Sequence, residues 1–80
     1  MTDIEKNIFA DMYRFTQNHG MPPPKNTKAC DVYWQKMHDD AIELIGKKYK
    51  NYPLAVEMMI AIINYREEQG HAVNRKRGLE

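Results

Sequence analysis

The chain has 80 residues, and twelve Lys and Arg against eleven Asp and Glu leave a formal net charge of only +1. This length fits a single domain, and the even charge balance lacks the basic excess of a dedicated nucleic-acid binder. The single cysteine excludes an intrachain disulfide, no apolar run approaches the roughly 20 residues that span a bilayer, and the N-terminus is unlike a signal peptide. We therefore expect a cytoplasmic protein with no membrane partner.

Helix one is predicted over residues 3–19. Thr2 and Glu5 have the spacing of a capping box at its start, and Gly20 provides a stop at its end. Apolar side chains recur at helical spacing along it, at Ile4, Ile8, Met12 and Phe15. Phe9 and Tyr13, four residues apart on its flank, suggest a face that docks on another helix.

Residues 20–30 form a connector that contains three consecutive prolines, Pro22 to Pro24. Such a run prefers an extended conformation and has no amide to donate. We interpret it as a stiff spacer between two helices, and the alternative is a ligand for a proline-binding groove.

Helix two is predicted over residues 31–50, with Asp31 or Thr27 as its N-cap. An apolar stripe runs along it, formed by Trp34, Met37, Ala41, Leu44 and Ile45. We expect Trp34, the only tryptophan, to be the main anchor between helices two and three. Its replacement by alanine is expected to cost about 3–5 kcal/mol of stability.

Helix three is predicted over residues 53–69, with Pro53 at its first position and Gly70 as its stop. The short link before it favours an antiparallel hairpin of helices two and three, and no segment shows the period of a strand. The predicted fold is thus an all-α three-helix bundle, with a single domain over residues 1–70. Residues 71–80 are interpreted as a flexible basic tail that ends in a cloning remnant, Leu79-Glu80.

From Leu54 to Ile63, helix three has only one residue that is not apolar, Glu57. Its apolar arc exceeds what two neighbouring helices usually cover. We expect one side of this arc to be buried, comprising Ala55, Met58, Met59 and Ile62. The other side is predicted to stay partly exposed and to bind another protein or a second copy of the chain: Val56, Ile60 and Ile63.

A nucleic-acid-binding accessory protein is the alternative function. Lys47 and Lys50 alternate with tyrosines, which suits phosphate contact combined with base stacking. Arg75 and Arg77 suit a second phosphate contact. The same lysines are also typical of a helix C-terminus, where they complement the helix dipole.

The sequence offers no convincing catalytic or metal site. His38, Asp39 and Asp40 are adjacent on a helix and cannot converge on one ion. The chain has no serine and no phosphate-binding glycine loop, and Glu57 shares its stripe with other polar residues. We therefore predict a protein that is not an enzyme and has no cofactor.

Several short strings resemble a family of small uncharacterised helical proteins encoded on prophages and conjugative transposons of low-GC Gram-positive bacteria. The similarity covers residues 9–68 and rests on packing and turn residues: Asp31-Val32-Tyr33-Trp34, Asp40-Ala41, Leu44, Lys48-Tyr49, Pro53-Leu54-Ala55 and Ile63-Asn64-Tyr65-Arg66-Glu67-Glu68. The resemblance implies a helical accessory protein of a mobile element. It implies no activity, ligand or site residue.

Overall fold

The computed structural model describes residues 1–78. Three α-helices make up the fold: α1 over Asp3–Asn18, α2 over Lys28–Ile42 and α3 over Pro53–Lys76. A π-helical segment, Glu43–Lys48, continues directly from α2. No strand occurs between residues 1 and 78, and the all-α prediction is confirmed. The expected cloning remnant at 79–80 lies outside the described residues.

The start of α1 is the predicted capping box. The Glu5 amide donates to Thr2 Oγ1 at 3.3 Å, and the Thr2 amide donates to Glu5 Oε1 at 2.7 Å. The hydrogen bond from the Thr2 amide, supported by the Thr2 hydroxyl, lowers the pKa of Glu5. The helix ends at Asn18, one residue before the predicted end, and the His19 amide donates to the Phe15 carbonyl.

α2 begins three residues earlier than the main prediction, because Thr27 is the N-cap and accepts from the Cys30 amide at 3.1 Å. Its regular hydrogen bonding ends at Ile42, so the helix predicted as far as Lys50 is continued only by the π segment. The segment closes with the Asn51 amide donating to the Ile45 carbonyl at 2.8 Å.

α3 starts at Pro53 as predicted, but it continues to Lys76. The predicted end near Gln69 is therefore wrong, and residues 71–76 are helical instead of a frayed tail. The reason is tertiary packing: Gly70 is buried, and the position where a Cβ would stand lies 3.5 Å from Pro22 Cγ. Asn74 is also buried, and its Oδ1 accepts from the Lys25 amide at 2.9 Å.

The core forms where α1 packs along α3 and the π segment contacts α3. Its buried apolar members are Ile8, Met12, Phe15, Met37, Ala41, Tyr49, Ala55 and Met59. Trp34 is only partly buried; it packs at the edge of this core and meets Tyr33 edge-on, with ring centroids 5.0 Å apart. The fully buried anchor from α2 is Met37. Ile4, predicted on the apolar stripe of α1, is exposed.

Candidate protein-binding surface

The predicted partner-binding residues lie in the first half of α3. Ile60 is 54% exposed, although its neighbour Met59 is only 4% exposed. Val56 is partly buried, and Ile63 is partly buried and packs against the core. We call these three residues the Ile60 face. Its exposure matches the sequence expectation, and whether it binds a partner stays a prediction.

The buried side of the same helix is less complete than predicted. Ala55 and Met59 are buried as expected. Met58 and Ile62, which were predicted to be fully buried, are only partly buried. The rest of the chain thus buries α3 mainly along the row of residues that contains Ala55 and Met59. Apolar side chains on either side of this row stay partly accessible to solvent.

The Ile60 face continues along α3 into a groove. Residues seven apart share one side of a helix, so Ile60, Glu67 and Asn74 lie in line. Glu67 and Asn74 line a groove of about 330 Å³ whose opposite wall includes Trp34 of α2. The face is therefore on the side of α3 that is turned toward the start of α2.

A second exposed apolar area lies on α1 and the other side of α3. Phe9, Tyr13 and Tyr65 are 46%, 64% and 61% exposed. The Arg66 guanidinium lies over the Tyr65 ring at 5.7 Å and donates to the Thr16 carbonyl at 3.0 Å. The sequence indicated a docking face at Phe9 and Tyr13, but the packing of α1 on α3 leaves both side chains in solvent.

The four residues of the nucleic-acid alternative do not come together. Lys47 Nζ is 3.1 Å from Glu43 Oε2, and Lys50 lies in the turn before α3. Arg75 and Arg77 are at the opposite end of α3, and the separation of 22 positions between Pro53 and Arg75 corresponds to about 33 Å of helix. All four side chains are exposed, but they form two separate basic sites.

Sequence reasoning did not find the most densely bonded polar group, Asp11. This buried carboxylate accepts from the Tyr49 hydroxyl and from Arg14, and Lys48 Nζ is 2.7 Å from its Oδ2. Burial acts to raise the pKa of Asp11, but the hydrogen bonds from Lys48, Tyr49 and Arg14 outweigh it and lower the pKa to about 2. Burial, with the hydrogen bond to Asp11, raises the pKa of Tyr49 to about 12. The cluster joins α1 to the turn before α3.

The cluster borders a groove of about 560 Å³ between α1 and the end of α2. His19 is buried in its wall, with Nε2 2.9 Å from Asp40 Oδ2. The lining has three basic side chains, Arg14, Lys47 and Lys48, and three acidic ones, Asp11, Asp40 and Glu43. Each of these charges is paired within the chain or bonded to His19. These contacts hold α1 against the end of α2 and leave no unpaired charge in the groove lining for a ligand.

Candidate metal and nucleophile positions are scattered. Among residues 1–78 no three His, Cys, Asp or Glu side chains are close enough together to hold a metal ion. Cys30 is partly buried near the start of α2, and Glu57 is exposed, in keeping with the solvated stripe expected from the sequence.

Comparisons with known proteins identify no relative: the chain matches no protein-family model, no curated protein and no solved structure. The resemblance to proteins of prophages and conjugative transposons therefore stays a prediction. For the described part of the chain, no helix combines the length and the hydropathy required to cross a membrane.

Proposed function

We propose that the protein is a non-enzymatic interaction module that binds another protein chain through the Ile60 face. The supporting observation is the 54% exposure of Ile60 within the most apolar segment of the sequence. Removing apolar surface from water is favourable by about 25 cal/mol per Å², and part of this gain offsets the entropy that two chains lose when they associate. The exposed part of the Ile60 side chain on α3 adds little to the stability of the monomer, and a partner chain that covers it would gain from its burial.

The surroundings of Ile60 suit a binding surface. Val56 and Ile63 supply further apolar area, and the adjacent groove has Trp34 in its wall; tryptophan is among the residues that dominate interface energies. The predicted antiparallel arrangement of α2 and α3 would place the second half of α2 beside this face. An accessory role on a mobile element, in the cytoplasm, completes the proposal and rests on the resemblance and the composition.

A photo-crosslinking amino acid at position 60 tests the proposal. The variant is incubated in an extract of the source organism and illuminated, and adducts are identified by mass spectrometry. We expect a discrete protein adduct from position 60. The matched control carries the same amino acid at position 35, because Gln35 is exposed on α2 and donates a hydrogen bond to Asp39 on the same helix. The absence of any adduct specific to position 60 would overturn the proposal.

The nucleic-acid alternative has a separate test. Binding through Lys47, Lys50, Arg75 and Arg77 would weaken steeply with salt, because affinity would come from counterion release. The pairing of Lys47 with Glu43 and the separation of the two basic sites disfavour it. We expect no binding of single-stranded DNA, double-stranded DNA or RNA at about 50 mM salt; saturable, salt-sensitive binding would favour the alternative.

A further inference from the structure

We infer that the partner of the Ile60 face presents a basic amphipathic helix, with lysines or arginines on both sides of an apolar side chain. This inference rests on the proposed function and names the chemistry of the partner. It depends on the charges that surround Ile60 on the exposed side of α3.

The exposed side of α3 around Ile60 is acidic. Glu57, Glu67 and Glu68 are all exposed, and we call them the acidic stripe. An α-helix turns about 100° per residue, so these three glutamates and Ile60 share a sector of about 100° of the helix. A chain that covers Ile60 therefore also meets the acidic stripe.

No basic side chain of α3 compensates the acidic stripe. None of the three glutamates forms an ion pair with a residue between 1 and 78. Arg66 is the only Lys or Arg between residues 53 and 74. Its guanidinium is turned toward α1, where it donates to the Thr16 carbonyl at 3.0 Å. The negative charge beside Ile60 is thus available to positive groups of a partner.

One lysine from outside α3 lies near the end of the acidic stripe. Lys25 of the connector lines the same groove as Glu67. Its backbone amide donates to Asn74, which lies about two turns of α3 beyond Glu67. Lys25 is therefore at the end of the groove that is remote from Ile60 and Glu57.

The spacing of the charges indicates the form of the partner. Glu57 precedes Ile60 along α3, and Glu67 and Glu68 follow it. The stripe spans about 15–17 Å of the helix, or about three turns. A partner helix with basic residues three turns apart and an apolar residue between them matches this spacing, and an amphipathic helix laid on an apolar surface is a recurring mode of recognition. Charges of this sign also select against acidic partners.

Fluorescence anisotropy with two labelled peptides tests the inference. The basic peptide is an amphipathic helix of leucine and lysine with about 18 residues, long enough to cover three turns. The acidic peptide is the same sequence with glutamate at every lysine position. We expect the basic peptide to bind, with an affinity that falls as salt is added, and the acidic peptide not to bind.

Two variants assign the binding to this face. Replacing the three glutamates of the acidic stripe by glutamine should raise the dissociation constant of the basic peptide about tenfold, and Ile60→Ser should raise it by about the same factor. The matched charge control replaces three exposed aspartates outside α3 by asparagine, at Asp3, Asp31 and Asp39. The matched apolar control is Ile42→Ser, because Ile42 on α2 is 53% exposed. Both controls should keep the wild-type constant, and circular dichroism checks that every variant stays helical.

The outcomes separate this inference from the proposed function. Equal affinity of the basic peptide for the wild type and the glutamine variant overturns the inference, and so does an acidic peptide that binds as tightly as the basic one. Absence of binding also overturns it; a mass that then rises above 9.5 kDa with concentration in sedimentation equilibrium would assign the face to a second copy. The proposed function fails separately, when position 60 yields no specific adduct.

Discussion

The clearest test of the fold is the replacement of Asp11 by asparagine, which removes a buried negative charge and keeps the size of the side chain. The pKa of Asp11 falls from its ordinary value of 3.8 to about 2, a difference worth roughly 2–3 kcal/mol. Lys48 and Arg14 are exposed, so screening by water reduces the loss of stability to about 1–2 kcal/mol.

The pH dependence makes the test specific. Since the pKa of Asp11 is lower in the folded state than in the unfolded state, its contribution is complete above about pH 5 and is lost as the pH falls toward 2. Urea unfolding at a series of pH values should show this loss in the wild type and a flatter profile in Asp11→Asn. Asp39→Asn, at an exposed position on α2, is the control and should keep the wild-type profile. An unchanged acid profile in Asp11→Asn would refute the role assigned to the cluster.

Three further predictions follow from the packing. Tyr49→Phe should cost about 1–3 kcal/mol of stability because the Asp11 carboxylate loses a buried hydrogen-bond donor. The pKa of Tyr49 is raised to about 12 in the folded protein, so the wild type should lose stability as the pH rises from 10 to 12. Urea unfolding of Tyr49→Phe over this pH range should lack that loss. Gly70→Ala should stabilise the protein by about 0.5–1 kcal/mol, because alanine favours a helix more than glycine does. The added Cβ would lie 3.5 Å from Pro22, an ordinary van der Waals contact without a clash. A lower melting temperature of the variant would contradict the helical geometry of Gly70. Trp34→Ala should cost about 2 kcal/mol, below the value for a fully buried tryptophan, and a urea midpoint shift equal to that of Met37→Ala would show that Trp34 belongs to the core.

The sequence predicted those helix ends that are determined by residues close together in the chain. The capping box of Thr2 and Glu5 and the proline at the start of α3 are read within a few residues, and both are present. The end of α3 was wrong because Gly70 is a local stop signal, whereas the contact that overrides it joins Asn74 to Lys25, 49 residues away. Helical periodicity and local stop signals carry no information about a contact between residues so far apart in the sequence.

The candidate surface was predictable in part for the same reason. The excess apolar arc of α3 indicated that Ile60 would be exposed, and no knowledge of the neighbouring helices was needed. The exposure of Phe9 and Tyr13 was not predictable, because it depends on how α1 rotates against α3. The bond between Asp11 and Tyr49 joins residues 38 positions apart, so their pairing also lay beyond the reach of periodicity.

We propose that Ile60 binds a partner chain, whereas its neighbour Met59 stabilises the core of the monomer. The most direct measurement compares the free energies of unfolding of Ile60→Ala and Met59→Ala in dilute solution, where association does not contribute. Met59 is 4% exposed and Ile60 is 54% exposed, so we predict a loss of about 2–5 kcal/mol for Met59→Ala and less than about 1 kcal/mol for Ile60→Ala. Equal losses for the two variants would place Ile60 in the core and contradict the account.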